Sequence, residues 1–169
     1  MSEPLFLGTY RVRCDGKGRV SVPAQLRGEL RGTMGMGFFA YPSLAGEPAL
    51  ECCEPAHLRR LTAVLDRMSP LSKTRRKLER RLQAQATQLQ IDGDGRTVLN
   101  ADLRARLGLG EKGGELVFAG RGRVFEIWSA DVYDAQLDDA LGEDEEEMFA
   151  AAWSQAVEAG TAQAGEGAE

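Results

Sequence analysis

The sequence predicts an α+β fold, mainly β, in which two similar halves form one pseudo-dimeric, barrel-like unit flanked by helices. Three observations carry that expectation. The pentapeptide DGKGR at Asp15 to Arg19 returns 77 residues later as DGDGR at Asp92 to Arg96. Around both copies apolar and polar residues alternate with the period of two that marks a half-buried strand. Each copy is a unit of roughly fifty residues with a few short strands, too small to stand alone, so two copies must share a core.

The repeat extends beyond the pentapeptide. Between Asp15 and Leu30 eight of sixteen positions are identical at the offset of 77: Asp15/Asp92, Gly16/Gly93, Gly18/Gly95, Arg19/Arg96, Ala24/Ala101, Leu26/Leu103, Arg27/Arg104 and Leu30/Leu107. Further on, ALECCEPAHL lies on VFEIWSADVY at an offset of 75, which sets Leu50 on Phe125 and Glu51 on Glu126. A shared register of this length marks an internal duplication.

In the first copy Tyr10, Val12 and Cys14 alternate with Arg11 and Arg13, and Val20 and Val22 alternate with Arg19 and Ser21. The spacing predicts a hairpin closed by the DGKG turn, whose glycines supply positive φ. Pro23 suits the start of a short helix, AQLRGEL, with Leu26 and Leu30 on one face. GMGFFAY and ALECC close the copy as strands. In the second copy Asn100 replaces Pro23 and caps the helix, Leu103 and Leu107 form its stripe, Gly108 stops it, and ELVFAG and RVFEIW are the closing strands.

Between the copies SPLSKTRRKLERRLQAQA predicts a helix capped by Ser69, with Pro70 at its first position and six bases, Lys73, Arg75, Arg76, Lys77, Arg80 and Arg81, spread around it. After Trp128 a helix capped by Ser129 is expected. In the tail EMFAAAWSQAVEA places Met148, Phe149, Ala152, Trp153, Ala156 and Val157 on one helical face, and the Gly/Ala/Glu-rich last ten residues read as disordered. The domain boundaries expected are 7–56 and 85–129 for the two copies, 57–84 for a basic helical linker, 130–141 for a C-terminal helix and 142–169 for an acidic, partly disordered tail.

Composition narrows the function. No run approaches the roughly 20 apolar residues of a membrane span, and the N-terminus lacks the basic start and apolar stretch of a signal peptide, so a cytoplasmic protein with no membrane partner is expected. Cys14, Cys52 and Cys53 make no disulfide framework. The net charge of −5 is unevenly placed: residues 134 to 169 hold eleven of the 26 acids and no Lys or Arg. The first 133 residues therefore carry 21 bases against 15 acids.

The first hairpin is the strongest candidate site. Arg11, Arg13 and Arg19 share one strand face and Lys17 sits in the turn, with Asp15 as the lone acid and an Asx-type brace for the turn. Cations so placed pair with phosphates or reach guanine edges, and they also suit an ordinary solvated sheet face. In the second copy Gln88, Gln90 and Asp94 replace Arg11, Arg13 and Lys17, so nucleic-acid contact should concentrate in the first. Asp92 and Asp94 mimic the start of a calcium loop, but Thr97 stands where that loop needs glycine and Leu103 where it needs its glutamate. Gly108 to Gly113 spells a dinucleotide fingerprint in the wrong context, after a helix and before a strand. Adjacent cysteines and a lone His57 make a poor zinc set and no nucleophile pair. The sequence predicts no enzyme, no cofactor and no metal.

FLGTY at Phe6 to Tyr10, DGKGRVSVPA at Asp15 to Ala24, ATQLQIDGDGR at 86–96 and FEIW at 125–128 together resemble the MraZ family, over about residues 6 to 140. The resemblance implies two SpoVT-AbrB-type halves of swapped hairpins, a ring-shaped homo-oligomer in the nucleoid, and a transcriptional regulator that binds short direct repeats of double-stranded DNA in the promoter of its own division and cell-wall gene cluster. It implies contact through Lys17 and Arg19 on the Asp15–Gly18 turn, with Arg96 as the second-copy equivalent; the hairpin's own charge pattern adds Arg11 and Arg13 as DNA-binding candidates and Asp15, Gly16, Gly18, Asp92, Gly93 and Gly95 as the residues that shape the turns. The long acidic tail departs from the family's pattern. It leaves open an AbrB-like antitoxin whose C-terminal tail binds a toxin.

Overall fold

A computed structural model of the chain describes residues 3–30, 37–137 and 140–166, with side chains up to Gly160. The first copy contains β1 (Thr9–Cys14), β2 (Arg19–Ser21), α1 (Ala24–Glu29), β3 (Gly37–Pro42) and β4 (Ala49–Cys53). Two helices follow, α2 (Pro55–Asp66) and α3 (Lys73–Glu79), the second running on into a π-turn over Arg80–Ala84. The second copy contains β5 (Thr87–Gln90), β6 (Arg96–Val98), α4 (Ala101–Arg106), β7 (Gly114–Gly120) and β8 (Phe125–Ser129). The chain ends in α5 (Ala130–Gln136) and α6 (Glu143–Glu166).

The two strands that flank each turn do not pair with each other. β1 lies antiparallel to β7 of the other copy, β5 lies antiparallel to β3, and β2 pairs with β6 in a separate two-stranded ribbon. The main sheet runs β1-β7-β8-β4-β3-β5, so each copy lends its entering strand to an edge of the other's sheet. The expected hairpin is thus opened across the duplication. Alternation explains why: Tyr10, Val12 and Cys14 point from the sheet into the core, while Val20 of the ribbon and Val22 just after it enter the same core from above. The two arms must therefore lie in different layers. The mixed α+β class stands, but the six-stranded sheet is open, with β1 and β5 as its edges rather than joined into a barrel.

A pseudo-twofold axis follows from the ladders. At the offset of 77 the counterpart of Val20 is Thr97, and the two are direct partners in the ribbon. At the offset of 75 the counterpart of Glu51 is Glu126, and these are direct partners at the centre of the β4–β8 ladder. Leu26 and Leu30 of α1 meet Leu99, Leu103 and Leu107 over Phe38, Phe118, Phe125 and Ile127, so the main core is built from both copies at once. The outer face of the sheet has two covers. Val132 and Tyr133 of α5 pack on Val117, Ala119 and Trp128, while Leu58, Leu61 and Leu65 of α2, with Leu78 and Leu82, pack on Tyr41 and Cys53.

Several local expectations are resolved by the caps. Asn100 Oδ1 accepts from Leu103 N–H at 2.9 Å, and Gly108 at φ +70° ends α4. The linker differs. It holds two helices, and Ser72 rather than Ser69 caps the second, its Oγ accepting from Arg75 N–H at 3.2 Å. Ser69 instead braces the intervening turn, where Pro70 also sits, by accepting from Leu71 N–H at 3.3 Å. The six linker bases are sorted rather than spread. Arg75 turns inward to Asp66, Glu79 and the Met68 carbonyl, whereas Lys73, Arg76, Lys77 and Arg80, at helical i, i+3, i+4 and i+7, are exposed.

Leu137–Glu169 forms a second unit, separate from Met1–Gln136. Within it helix is described to Glu166, where disorder was expected over the last ten residues; 167–169 lie outside the described residues. Alanine-rich sequence with two glycines still favours helix enough to continue it. No helix among the described residues is long and apolar enough to cross a membrane.

Candidate nucleic-acid interface

The DGKGR turn is held by its own aspartate. Asp15 Oδ1 accepts from Lys17 N–H and Arg19 N–H, both at 2.9 Å, and Oδ2 accepts from Arg19 Nε–H at 2.7 Å. Those bonds, the Arg19 side chain first, hold the Asp15 carboxyl at about 2. Asp92 repeats the backbone pattern, accepting from Asp94 N–H at 2.9 Å and Arg96 N–H at 3.0 Å, and its carboxyl is likewise lowered. Among the described residues, however, the Arg96 guanidinium makes no ion pair with it. The aspartates are thus spent on their own turns.

The glycines explain why the repeat is so strict. Gly18 and Gly95 have φ of +89° and +78°. A Cβ on Gly18 would run into the Leu99 carbonyl oxygen and the Arg104 guanidinium, and one on Gly95 into the Arg27 guanidinium. Gly18 O accepts from Leu99 N–H at 2.8 Å, and Gly95 O accepts from Val22 N–H at 2.9 Å. Each copy's turn is therefore clasped by the other copy's arginine and strand end, and Arg27 and Arg104 are themselves 77 residues apart. That repeated arginine pair was visible in the sequence as an identity whose role it did not reveal. Gly16 has no left-handed φ, but a side chain there would strike the Glu111 carbonyl, whereas Gly93 faces open space.

The β2–β6 ribbon turns Val20 and Thr97 inward and leaves Arg19, Ser21, Arg96 and Val98 outward. Beside it Arg13, Asp15, Arg19, Ser21 and Arg96 line a shallow concavity of about 400 Å³. Lys17 stands exposed at the tip of the first turn. Three arginines thus line one hollow whose only carboxylate, that of Asp15, is already engaged. Ser21 was not singled out by sequence, although its alternation with Arg19 puts its hydroxyl on the same face.

Arg11 sits elsewhere. Its guanidinium donates to Glu115 on the neighbouring strand at 3.2 Å and grips both carboxylate oxygens of Asp134 on α5. These partners, Asp134 first, raise the Arg11 pKa and lower that of Asp134. Arg11 is a clasp between the edge of the sheet and α5. Its second-copy counterpart Gln88 and the Arg13 counterpart Gln90 are exposed on the opposite edge strand. The cysteines do not converge: Cys52 points into the main core and Cys53 into the α2 cluster, and burial pushes Cys53 up to about 12.

The comparisons with known proteins bear on this geometry. The family model described as "MraZ protein, putative antitoxin-like" matches residues 5–43 and 82–155, more than half of the chain. The chain belongs to the MraZ family. Curated relatives carry the name "Transcriptional regulator MraZ". One from Rickettsia akari is 34% identical over 145 residues, covering 86% of this chain and 95% of that protein. One from Parvibaculum lavamentivorans is 37% identical over 130 residues, covering 77% of this chain and 79% of that protein. The MraZ match contains both turns and the ribbon, whereas α2 and α3 fall between its two stretches.

Proposed function

We propose that this chain is a non-enzymatic, DNA-binding transcriptional regulator that grips double-stranded DNA through the β2–β6 ribbon and the DGKGR turn. The observation that carries the reading is the hollow that Arg13, Arg19 and Arg96 line together. A two-stranded antiparallel ribbon fits the B-DNA major groove, and outward arginines at its surface suit guanine O6 and N7. Arg13, Lys17 and Ser21 suit the flanking phosphates, which fix register without reading sequence. Arg11 holds α5 and supports the edge strand behind the patch. The two SpoVT-AbrB-type halves, 7–56 and 85–129, supply one DNA face between them.

On this reading the targets are short direct repeats upstream of the chain's own gene cluster. Binding is by a ring-shaped homo-oligomer that places one patch per repeat, in the cytoplasm at the nucleoid. Footprinting across that upstream region with a salt titration tests it. Three or four phosphate contacts per engaged subunit give a slope of roughly −3 to −4 in log affinity against log salt, multiplied by the subunits engaged. Arg19→Ala and Arg96→Ala should each weaken the specific complex. A parent protein that binds its upstream region no more tightly than random duplex would overturn the assignment.

A further inference from the structure

Helix α6 carries an aromatic face in water. Met148, Phe149 and Trp153 are 72%, 68% and 63% exposed, and the Phe149 and Trp153 rings lie side by side with centroids 6.4 Å apart. An exposed stripe of this kind on one face of a long helix marks a docking element. Its flank is strongly acidic, with Glu143, Asp144, Glu145, Glu146 and Glu147 in the turn before the aromatics and no base anywhere in residues 134 to 169. A surface that receives it must offer an apolar floor and a run of cations.

The α3 region has that chemistry. Lys73, Arg76, Lys77 and Arg80 form one exposed helical face with no ion pair among the described residues. Beside it is a concavity of about 380 Å³ lined by Leu44, Leu78, Thr74, Arg81 and Gln85, with Lys77 and Arg80 at its rim. Leu44 is itself an exposed apolar side chain, and Arg81 is anchored there by donating to the Ser43 carbonyl at 2.7 Å. We propose that α6 of one copy docks on the α3 face of a second copy. Phe149 and Trp153 enter the hollow at Leu44 and Leu78 while the acidic turn of α6 meets Lys73, Arg76, Lys77 and Arg80. The two chemistries are adjacent on both helices, since the acids directly precede the aromatics in α6 and Lys77 and Arg80 themselves line the hollow on α3. Pairing of α6 with α6 is disfavoured, because neither orientation sets a base opposite the five acids.

The test uses the full chain, with circular dichroism confirming that each variant folds. Sedimentation should show self-association weakened at least about tenfold by F149S/W153S, by K77E/R80E and by E143K/E146K. An equimolar mixture of the two charge-reversed proteins should restore it, because each then offers the face the other needs. Trp128 is nearly buried, so acrylamide quenching reports chiefly Trp153, and its protection should grow with protein concentration. The proposal is overturned by a mixture that associates no better than its components, by F149S/W153S associating like the parent, or by protection independent of concentration. It is equally overturned by charge variants that leave association intact while the aromatic variant abolishes it, since the stripe would then be met by a different surface. None of these readouts involves DNA, so failure here leaves the DNA reading standing.

Discussion

The DGKGR and DGDGR turns share one backbone and differ in what they show to solvent. Both are braced by an aspartate, both place a left-handed glycine under the other copy's arginine, and both feed strands into two layers. Yet the first is flanked by Arg13 and Lys17, and the second by Gln90 and Asp94. The positions that brace the turns and lock one half to the other are identical, Asp15/Asp92, Gly18/Gly95 and Arg27/Arg104, while the outward pairs Arg13/Gln90 and Lys17/Asp94 diverge. The duplication therefore keeps a shared scaffold while freeing one turn for a separate task.

The largest effects should come from breaking the lock. At Gly18 an added Cβ meets the Leu99 backbone, which cannot move without parting the ribbon, and the φ of +89° is strained for any side chain. Gly18→Ala should cost about 3 kcal/mol or more in urea unfolding. At Gly95 the obstacle is chiefly the Arg27 side chain, which can swing away after giving up the Val22 carbonyl that its Nε donates to at 2.9 Å. Gly95→Ala should cost about 1–2 kcal/mol. Equal costs would mean that Arg27 is held as rigidly as backbone.

The next effect concerns charge rather than fold. Rewriting the first turn as the second, with Arg13→Gln and Lys17→Asp, should lower affinity for the upstream DNA by roughly 10–100-fold in a mobility-shift titration, with unfolding unchanged. Rewriting the second as the first, with Gln90→Arg and Asp94→Lys, should leave affinity within about threefold, because those residues flank the opposite edge strand. A large gain from the second exchange would show that both turns reach the duplex.

Much of this was legible from residue spacing. The repeat predicted two halves sharing a core, and even the faint pairing of Glu51 with Glu126 proved to be the centre of the sheet. What spacing did not reveal was partner choice. A period of two says that Tyr10 and Val20 face a core, but not that they reach it from different layers, so the hairpin was expected to close on itself. Arg11 and Arg13 look equivalent in sequence, and only the position of Asp134 on α5 separates the clasp from the patch. The linker bases likewise needed the true start of α3, set by Ser72, before their single face appeared.

The smallest effects come from comparing the turn with the seam, and here pH separates the two. The Asp15 carboxyl lies at about 2 when folded, below its ordinary value near 3.9, so its contribution is present above about pH 4 and is lost as pH falls toward 2. Asp15→Asn should therefore flatten the acid limb of a melting-point profile. At the seam Glu126 faces Glu51 on the pseudo-twofold axis, both nearly buried, with Arg121 3.6 Å from the first and 3.7 Å from the second. Burial raises the Glu126 carboxyl, so its sign is opposite: stability is fully present below its ordinary value near 4.3 and is lost as pH rises through the folded value. Glu126→Gln should match the parent near pH 4 and melt a few degrees higher at neutral pH. A variant that instead melts lower at neutral pH would mean that the Arg121 bridge outweighs the burial of two facing acids, and that the seam is held by charge rather than in spite of it.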